Sequence, residues 1–144
     1  MINLFRGSNS FLSNFHPLEG STLHGYPTVE NFFQAMKCHD ETYRKGLKLV
    51  TPAVAKKLGR RCKLRDNWEV IKFDVMIYAL RKKFTEPRLH EKLLATGNQT
   101  LVEGNYWNDT YWGVNLKTGN GENNLGKLLM QVRYEIELND NQEE

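Results

Sequence analysis

The chain is short of the features that mark secreted, membrane-bound and repetitive proteins. It has two cysteines, Cys38 and Cys62, which are too few for a disulfide framework, so we expect both to be reduced. No apolar run approaches the roughly 18–20 residues that a membrane-spanning helix needs. Residues 1–6 have neither the basic start nor the apolar stretch of a signal peptide. We therefore expect a soluble, cytoplasmic protein with no membrane partner.

Repeats and low-complexity linkers are also lacking, and 144 residues suit one domain. The net charge is +3, but four of the acids lie in residues 137–144, which have no Lys or Arg. We predict one domain over residues 1–136 and an acidic C-terminal tail over residues 137–144. The remaining excess of basic residues suits a phosphate-bearing partner, although ordinary solubilising charge explains it equally well.

Helix signals dominate the chain. Thr28 and Asp40 are typical N-caps, and Thr51 combines a cap with a proline at the first helical position. The predicted helices are 29–39, a short helix after Asp40, 52–59, 68–84, 87–97 and 123–136. We expect the apolar helix 68–84 to be the longest and to form the centre of the core.

Strand signals are few and short. The predicted strands are Ile2–Phe5, Leu101–Glu103 and Tyr111–Asn115. Turn residues predict a flexible polar turn over Gly7–Asn14 and an irregular hairpin over Asn14–Tyr26. The order of the elements predicts a helix-rich α+β single domain with a few short strands.

The first predicted helix carries polar groups at helical spacing. Its apolar stripe consists of Val29, Phe32, Phe33 and Met36. Glu30, Gln34 and Lys37 follow one another at i, i+4 and i+7, on a neighbouring stripe. Periodicity alone favours a solvated face for these three residues. Phe33 lies at the border, however, and a partly apolar cleft there would lower the pKa of Lys37 and create a nucleophilic amine.

Two other segments combine polar and aromatic side chains. The first contains Glu103, Asn108, Asp109, Trp112 and Gly113, and the second contains Ser8, Asn9, Phe11, Ser13 and Asn14. Aromatic rings beside amide and carboxyl groups can stack on a base or sugar and hydrogen-bond with its edges. Turns that pack onto the core explain both segments equally well.

Phosphate-binding signals are weaker. Gly121–Lys127 matches the start of a P-loop, but Leu128 stands where a magnesium-binding Ser or Thr is required, which excludes a nucleoside triphosphatase. The helix start at Asn123 and Asn124 would still offer backbone N–H groups to an anion such as a diphosphate. A basic run contains Lys56, Lys57, Arg60, Arg61, Lys63 and Arg65. It could contact nucleic-acid phosphates, or it could be a solvated helix face.

Five blocks of the sequence, taken together, closely resemble the YbiA-like, or NADAR, family. They are Phe11–Phe15, Tyr26–Glu30, Gln34–Lys37, Asp109–Gly113 and Gly121–Arg133. The blocks occur in the order that the family has, and the resemblance extends from Asn3 to about Ile136.

The resemblance implies a helix-rich α+β fold and an N-glycosidase activity on ribosylated compounds, with no metal or other cofactor. One implied substrate is ADP-ribose attached to guanine, including guanine in DNA, whose modification is reversed. The other is a ribosylamino-pyrimidine phosphate of riboflavin synthesis. A non-catalytic ADP-ribose-binding module is a further alternative.

Carried onto this chain, the resemblance assigns the Schiff-base lysine to Lys37 and the accompanying acid to Glu30. Asp109 is the other candidate proton donor, and either Trp112 or Phe11 would stack on the base or ribose. The predicted substrate-binding residues are Ser8, Asn9, Phe11, Ser13, Asn14, Gln34, Glu103, Asn108, Trp112, Gly113, Asn123 and Asn124.

Overall fold

The helices of the computed structural model, which describes residues 1–143, begin where the sequence offers caps. The side chain of Thr28 accepts a hydrogen bond from the N–H of Asn31, and Asp40 and Thr51 cap the next two helices in the same way. Each cap satisfies a backbone N–H that has no partner inside the helix. The α-helices are α1 Val29–Lys37, α2 Glu41–Gly46, α3 Pro52–Gly59, α4 Trp68–Lys83, α5 Pro87–Ala95 and α6 Asn124–Glu143.

The strands are shorter than the sequence predicts. β1 (Gly104–Asn105) and β2 (Val114–Asn115) pair in parallel. The predicted strands Ile2–Phe5 and Leu101–Glu103 are wrong, since a single bridge between Ile2 and Leu101 joins these segments. The side chain of Asn123 hydrogen-bonds with the backbone there and takes the place of further ladder bonds.

Two predicted loops also differ. The segment expected to be a flexible turn forms a 3₁₀ helix over Gly7–Leu12, because Phe11 and Leu12 are buried and hold it in place. The expected hairpin over Asn14–Tyr26 is reduced to one antiparallel bridge, between Leu23 and Tyr26.

Residues 1–13 and those from Pro87 onward form one compact unit. In this unit α5 packs against α6 and the 3₁₀ helix. α6, not α4, is the longest described helix, with 20 residues against 16. Its predicted end at Ile136 is wrong, because the helix continues through the acidic residues to Glu143. In this last part of α6, Asp140 Oδ2 lies 2.9 Å from His90 Nε2 of α5. The domain boundary at residue 136 stays a prediction.

Residues 14–86 form the other unit, in which α1 contacts α2, α3 and α4. The expectation that α4 forms the centre of the core is wrong. α1 buries seven of its nine residues, whereas Tyr78 of α4 is 37% exposed. α4 buries five of its 16 residues, so most of this helix is not enclosed by the unit. The α+β fold class is confirmed. Within the described residues, no helix has the length and apolar character needed to cross a membrane.

Candidate active site

Side-chain hydrogen bonds hold the first half of α1 in place. Thr28 Oγ1 donates to Asn31 Oδ1 over 2.6 Å, and Asn31 Nδ2 donates to two backbone carbonyl oxygens over 2.9 Å each. The N–H of Glu30 donates to the carbonyl oxygen of Asn14 over 3.0 Å. Buried polar atoms are costly without such partners, so this network fixes α1 against the segments around it.

The predicted polar stripe of α1, which we call the lysine stripe, consists of Glu30, Gln34 and Lys37. Glu30 and Gln34 are each only 7% exposed, and Lys37 is half-buried at the end of the helix. Gln34 Nε2 donates to Glu30 Oε1 over 2.8 Å. The solvated-face interpretation is therefore wrong. The reason is tertiary, because α3 and α4 pack on α1.

α3 approaches the lysine stripe through Gly59. A Cβ atom at this position would lie 2.8 Å from Lys37 Cε and 2.8 Å from Gln34 Cδ, and closer still to Gln34 Oε1. Only glycine leaves room for both side chains in their observed positions. The last turn of α3 therefore packs closely against the polar side of α1.

The segment after α3 is bonded to the end of α1. The N–H of Arg65 donates to the carbonyl oxygen of Lys37 over 2.9 Å, and the N–H of His39 donates to that of Lys63 over 2.8 Å. This pairing brings Cys38 and its partner Cys62 together, with Cα atoms 5.6 Å apart, and they form a disulfide. The expectation that both cysteines are reduced is wrong in this structure, because backbone pairing between distant segments places them side by side.

The pKa of Lys37 is lowered from its ordinary value. Burial is the main cause, since it penalises the charged amine. The Glu30 carboxylate opposes the shift, whereas Arg60 and Lys56 add to it by repulsion. The direction is the one predicted from the sequence. It favours the neutral amine, which is the form that attacks carbon.

Asp109 organises its own loop, residues 105–113. Its Oδ1 accepts hydrogen bonds from the N–H groups of Tyr111 and Trp112, over 3.2 and 3.0 Å. Its N–H donates to Asn105 Oδ1 over 3.0 Å. Asn108, with a φ of +63°, accepts a hydrogen bond from the side chain of Asn115. The loop is thus held by side-chain bonds, and the role of Asp109 as a proton donor stays a prediction.

The start of α6 does not offer a free anion site. The N–H groups of Asn123, Asn124 and Leu125 donate to carbonyl oxygens of residues 111–113 over 3.0–3.2 Å. Asn123 Oδ1 accepts from the N–H of Glu103 over 2.9 Å. The prediction that these N–H groups bind a diphosphate is wrong, because carbonyl groups of the chain itself already occupy them.

The 3₁₀ helix places its predicted residues differently. Phe11 is 4% exposed, with Lys92 Nζ 5.8 Å from its ring centre, so the ring packs in the core, and its stacking role stays a prediction. Ser8 is exposed, and Asn9 lines a groove of about 360 Å³. Ser13 is half-buried just after the helix.

The predicted site residues are divided between the two units. The lysine stripe and Asn14 belong to residues 14–86. The other unit contains Ser8, Asn9, Phe11, Ser13, Glu103, Asn108, Asp109, Trp112, Gly113, Asn123 and Asn124.

Sequence reasoning missed three residues beside the lysine stripe. These are Gly59, which contacts the stripe, and Lys56 and Arg60, which act on the charge of Lys37. The basic run was visible in the sequence, and the four-residue spacing of Lys56 and Arg60 was the available signal. The packing of α3 against α1 was not visible there.

Known proteins resemble this chain over most of its length. The model of the NADAR domain matches residues 4–137. N-glycosidase YbiA of Shigella flexneri serotype 5b is 43% identical, over 96% of this chain and 89% of its own length. The NMR structure of Escherichia coli YbiA superposes with a TM-score of 0.82 at 39% identity, covering 97% of this chain and 87% of that one. A riboflavin biosynthesis protein of Vibrio vulnificus is 36% identical, over 90% of this chain and 36% of its own length.

These likenesses and the helix-rich fold define an enzyme that cleaves N-glycosidic bonds. The chain belongs to the NADAR domain family.

Proposed function

We propose that the chain removes ADP-ribose from guanine bases, including guanine in DNA, through a covalent imine on Lys37. The observation that carries this proposal is a half-buried lysine with a lowered pKa on the same stripe as a buried carboxyl group, that of Glu30. A lowered pKa increases the neutral fraction of the amine, which can attack carbon, whereas the protonated amine cannot.

In the proposed reaction the ribose ring opens, which leaves C1′ joined to the base nitrogen as an imine. Lys37 Nζ attacks C1′, a carboxylate takes the proton that Nζ loses and passes it to the base nitrogen, and the bond between C1′ and that nitrogen breaks. The base leaves with the bonding electrons, and C1′ remains bound to Lys37 as a new imine. Water hydrolyses this imine, which releases the sugar and regenerates the lysine.

Glu30 is the better-supported proton donor of the two candidates. It belongs to the same stripe as Lys37, and the Gln34 amide orients its carboxyl group. Asp109 Oδ1 is already engaged by two backbone N–H groups of its loop. Trp112 is half-buried, its ring is in edge contact with that of Tyr111 at 4.8 Å, and its stacking role stays a prediction.

The choice of ADP-ribose on guanine is supported by the basic character of the chain, since both ADP-ribose and DNA carry phosphates. A second candidate substrate is a ribosylamino-pyrimidine phosphate. The similarity to a riboflavin biosynthesis protein favours it. Both substrates present a ribosyl carbon bonded to a base nitrogen, so the same chemistry applies.

A product assay on both substrates side by side distinguishes these candidates. The folded protein is incubated with DNA containing ADP-ribosylated guanine and, separately, with the ribosylamino-pyrimidine phosphate, and the products are followed by mass spectrometry. Loss of the adduct with release of ADP-ribose supports the first substrate, and release of ribose 5-phosphate supports the second. Binding of ADP-ribose without turnover of either compound would contradict the proposal and favour a non-catalytic module.

Borohydride trapping tests the covalent step. Reduction of the C=N bond during turnover should leave a ribosyl group on Lys37 as a stable mass increase. Lys37→Arg should abolish both trapping and turnover, because the guanidinium group stays protonated. Lys57→Arg, at an exposed position of α3, is the matched control and should behave as the wild type. An adduct on another lysine would refute the assignment.

A further inference from the structure

The face of α3 that covers the lysine stripe is positively charged. Lys56, Gly59 and Arg60 are spaced at i, i+3 and i+4, so they share one face of the helix. Gly59 on this face contacts the side chains of Gln34 and Lys37. Lys56 and Arg60 therefore flank the place where α3 meets the reactive amine.

This arrangement places three basic groups near one acid. They are Lys37, Lys56 and Arg60. Burial is the main cause of the lowered pKa of Lys37, and repulsion by Arg60 and Lys56 adds to it. The acid of the stripe, Glu30, already accepts a hydrogen bond from the Gln34 amide. Like charges held together in a partly buried place are unfavourable, and a bound anion would relieve them.

The surrounding sequence adds to the excess of positive charge. From Thr42 to Arg65 the chain has nine Lys and Arg residues and no Asp or Glu. Arg60 is exposed, so its planar guanidinium group can reach a ligand and bind it with two parallel hydrogen bonds. Lys56 Nζ lies 5.9 Å from the ring centre of Phe15, which is 39% exposed and borders the same surface.

We propose that Lys56 and Arg60 form a phosphate subsite, which binds a phosphate ester of the ribosyl substrate beside Lys37. The identity of the ligand rests on the proposed function, but the subsite itself rests on the packing of α3 against the lysine stripe. A monophosphate on the ribose and the diphosphate of ADP-ribose share the chemistry that this subsite recognises.

Calorimetric titration of the full chain tests the subsite without any need for turnover. The ligands are ribose, ribose 5-phosphate and ADP-ribose. The wild type should bind at least one phosphate-bearing ligand about tenfold or more tightly than ribose, since a hydrogen bond to a charged group is worth about that ratio. If ribose 5-phosphate binds more tightly than ADP-ribose, a monophosphate is the preferred group. If ADP-ribose binds more tightly, a diphosphate is preferred.

Matched variants separate a specific subsite from general charge. Arg60→Gln and Lys56→Gln should each weaken the phosphate-bearing ligand about tenfold. Lys57→Gln makes the same change of charge at an exposed position of the same helix and should weaken it less than about twofold. Circular dichroism checks that each variant is folded. If either Arg60→Gln or Lys56→Gln does not fold, the other variant alone tests the subsite.

Two results would overturn the subsite: equal affinity of the wild type for ribose and for both phosphate esters, or equal losses in Arg60→Gln and Lys57→Gln. Failure of the proposed function is a separate result. A phosphate preference that Arg60→Gln removes, together with no cleavage of either candidate substrate, would leave the subsite standing and reject the glycosidase mechanism.

Discussion

Replacement of Gly59 by alanine tests whether the close packing of α3 on α1 sets the position of Lys37. The added Cβ would lie 2.8 Å from Lys37 Cε and 2.8 Å from Gln34 Cδ. Non-bonded carbon atoms prefer separations of about 3.5–4.0 Å, so both side chains must move away. When Gln34 moves, its 2.8 Å hydrogen bond to Glu30 is broken as well.

The expected losses differ in size between stability and activity. An extra methyl group in a packed core costs about 1–3 kcal/mol, and alanine recovers up to about 1 kcal/mol through its helix propensity. We therefore expect the free energy of unfolding of Gly59→Ala to fall by about 1–2 kcal/mol. A displacement of about 1 Å at a reacting group can cost about 100-fold in rate, so turnover should fall far more than stability does.

Gly46→Ala is the matched control for this prediction. Gly46 is the last residue of α2, as Gly59 is of α3, and no atom lies within 4 Å of a Cβ built there. Urea denaturation should show unchanged or slightly higher stability for Gly46→Ala, with normal turnover. Combining Gly59→Ala with Gln34→Ala removes one of the two clashing side chains and should restore part of the lost stability. Normal turnover in Gly59→Ala, with a denaturation midpoint like that of Gly46→Ala, would refute the reasoning.

Three further predictions concern other parts of the molecule. Cys62→Ala removes the disulfide to Cys38, which has a sequence separation of 24, and should lower the free energy of unfolding by about 3 kcal/mol. Urea denaturation of oxidised samples measures this loss. An unchanged denaturation midpoint would contradict a stabilising disulfide. Arg60→Gln removes a cation that lowers the pKa of Lys37, so this pKa should rise. The pH dependence of Lys37 acylation, measured by mass spectrometry, should then shift to higher pH. A shift to lower pH would contradict this electrostatic explanation. Asp109→Asn keeps an oxygen that can accept hydrogen bonds from the loop and should be more stable than Asp109→Ala by about 1 kcal/mol in thermal denaturation. If Asp109 also donates a proton, the Asn variant should lose about 10²–10⁴-fold in turnover, and normal turnover would assign it a structural role alone.

The starts of the helices were predictable because caps act over a few residues. Thr28, Asp40 and Thr51 each bind an N–H within the next three positions, so their effect is contained in the local sequence. The strands were not predictable in the same way. The pairing of Gly104 with Val114 depends on segments that meet only after folding, and Asn123 supplies hydrogen bonds that replace a longer ladder.

For the candidate site, the sequence by itself determined the alignment of Glu30, Gln34 and Lys37 on one stripe, because helical spacing is a property of the backbone. Only the tertiary structure decided that this stripe is buried, since α3 and α4 come from later in the chain and exclude water from it. Burial is the main cause of the lowered pKa of Lys37, so the reactivity proposed for this lysine depends on packing that spacing alone cannot reveal. The same holds for the disulfide of Cys38, which pairing between distant backbone segments brings about.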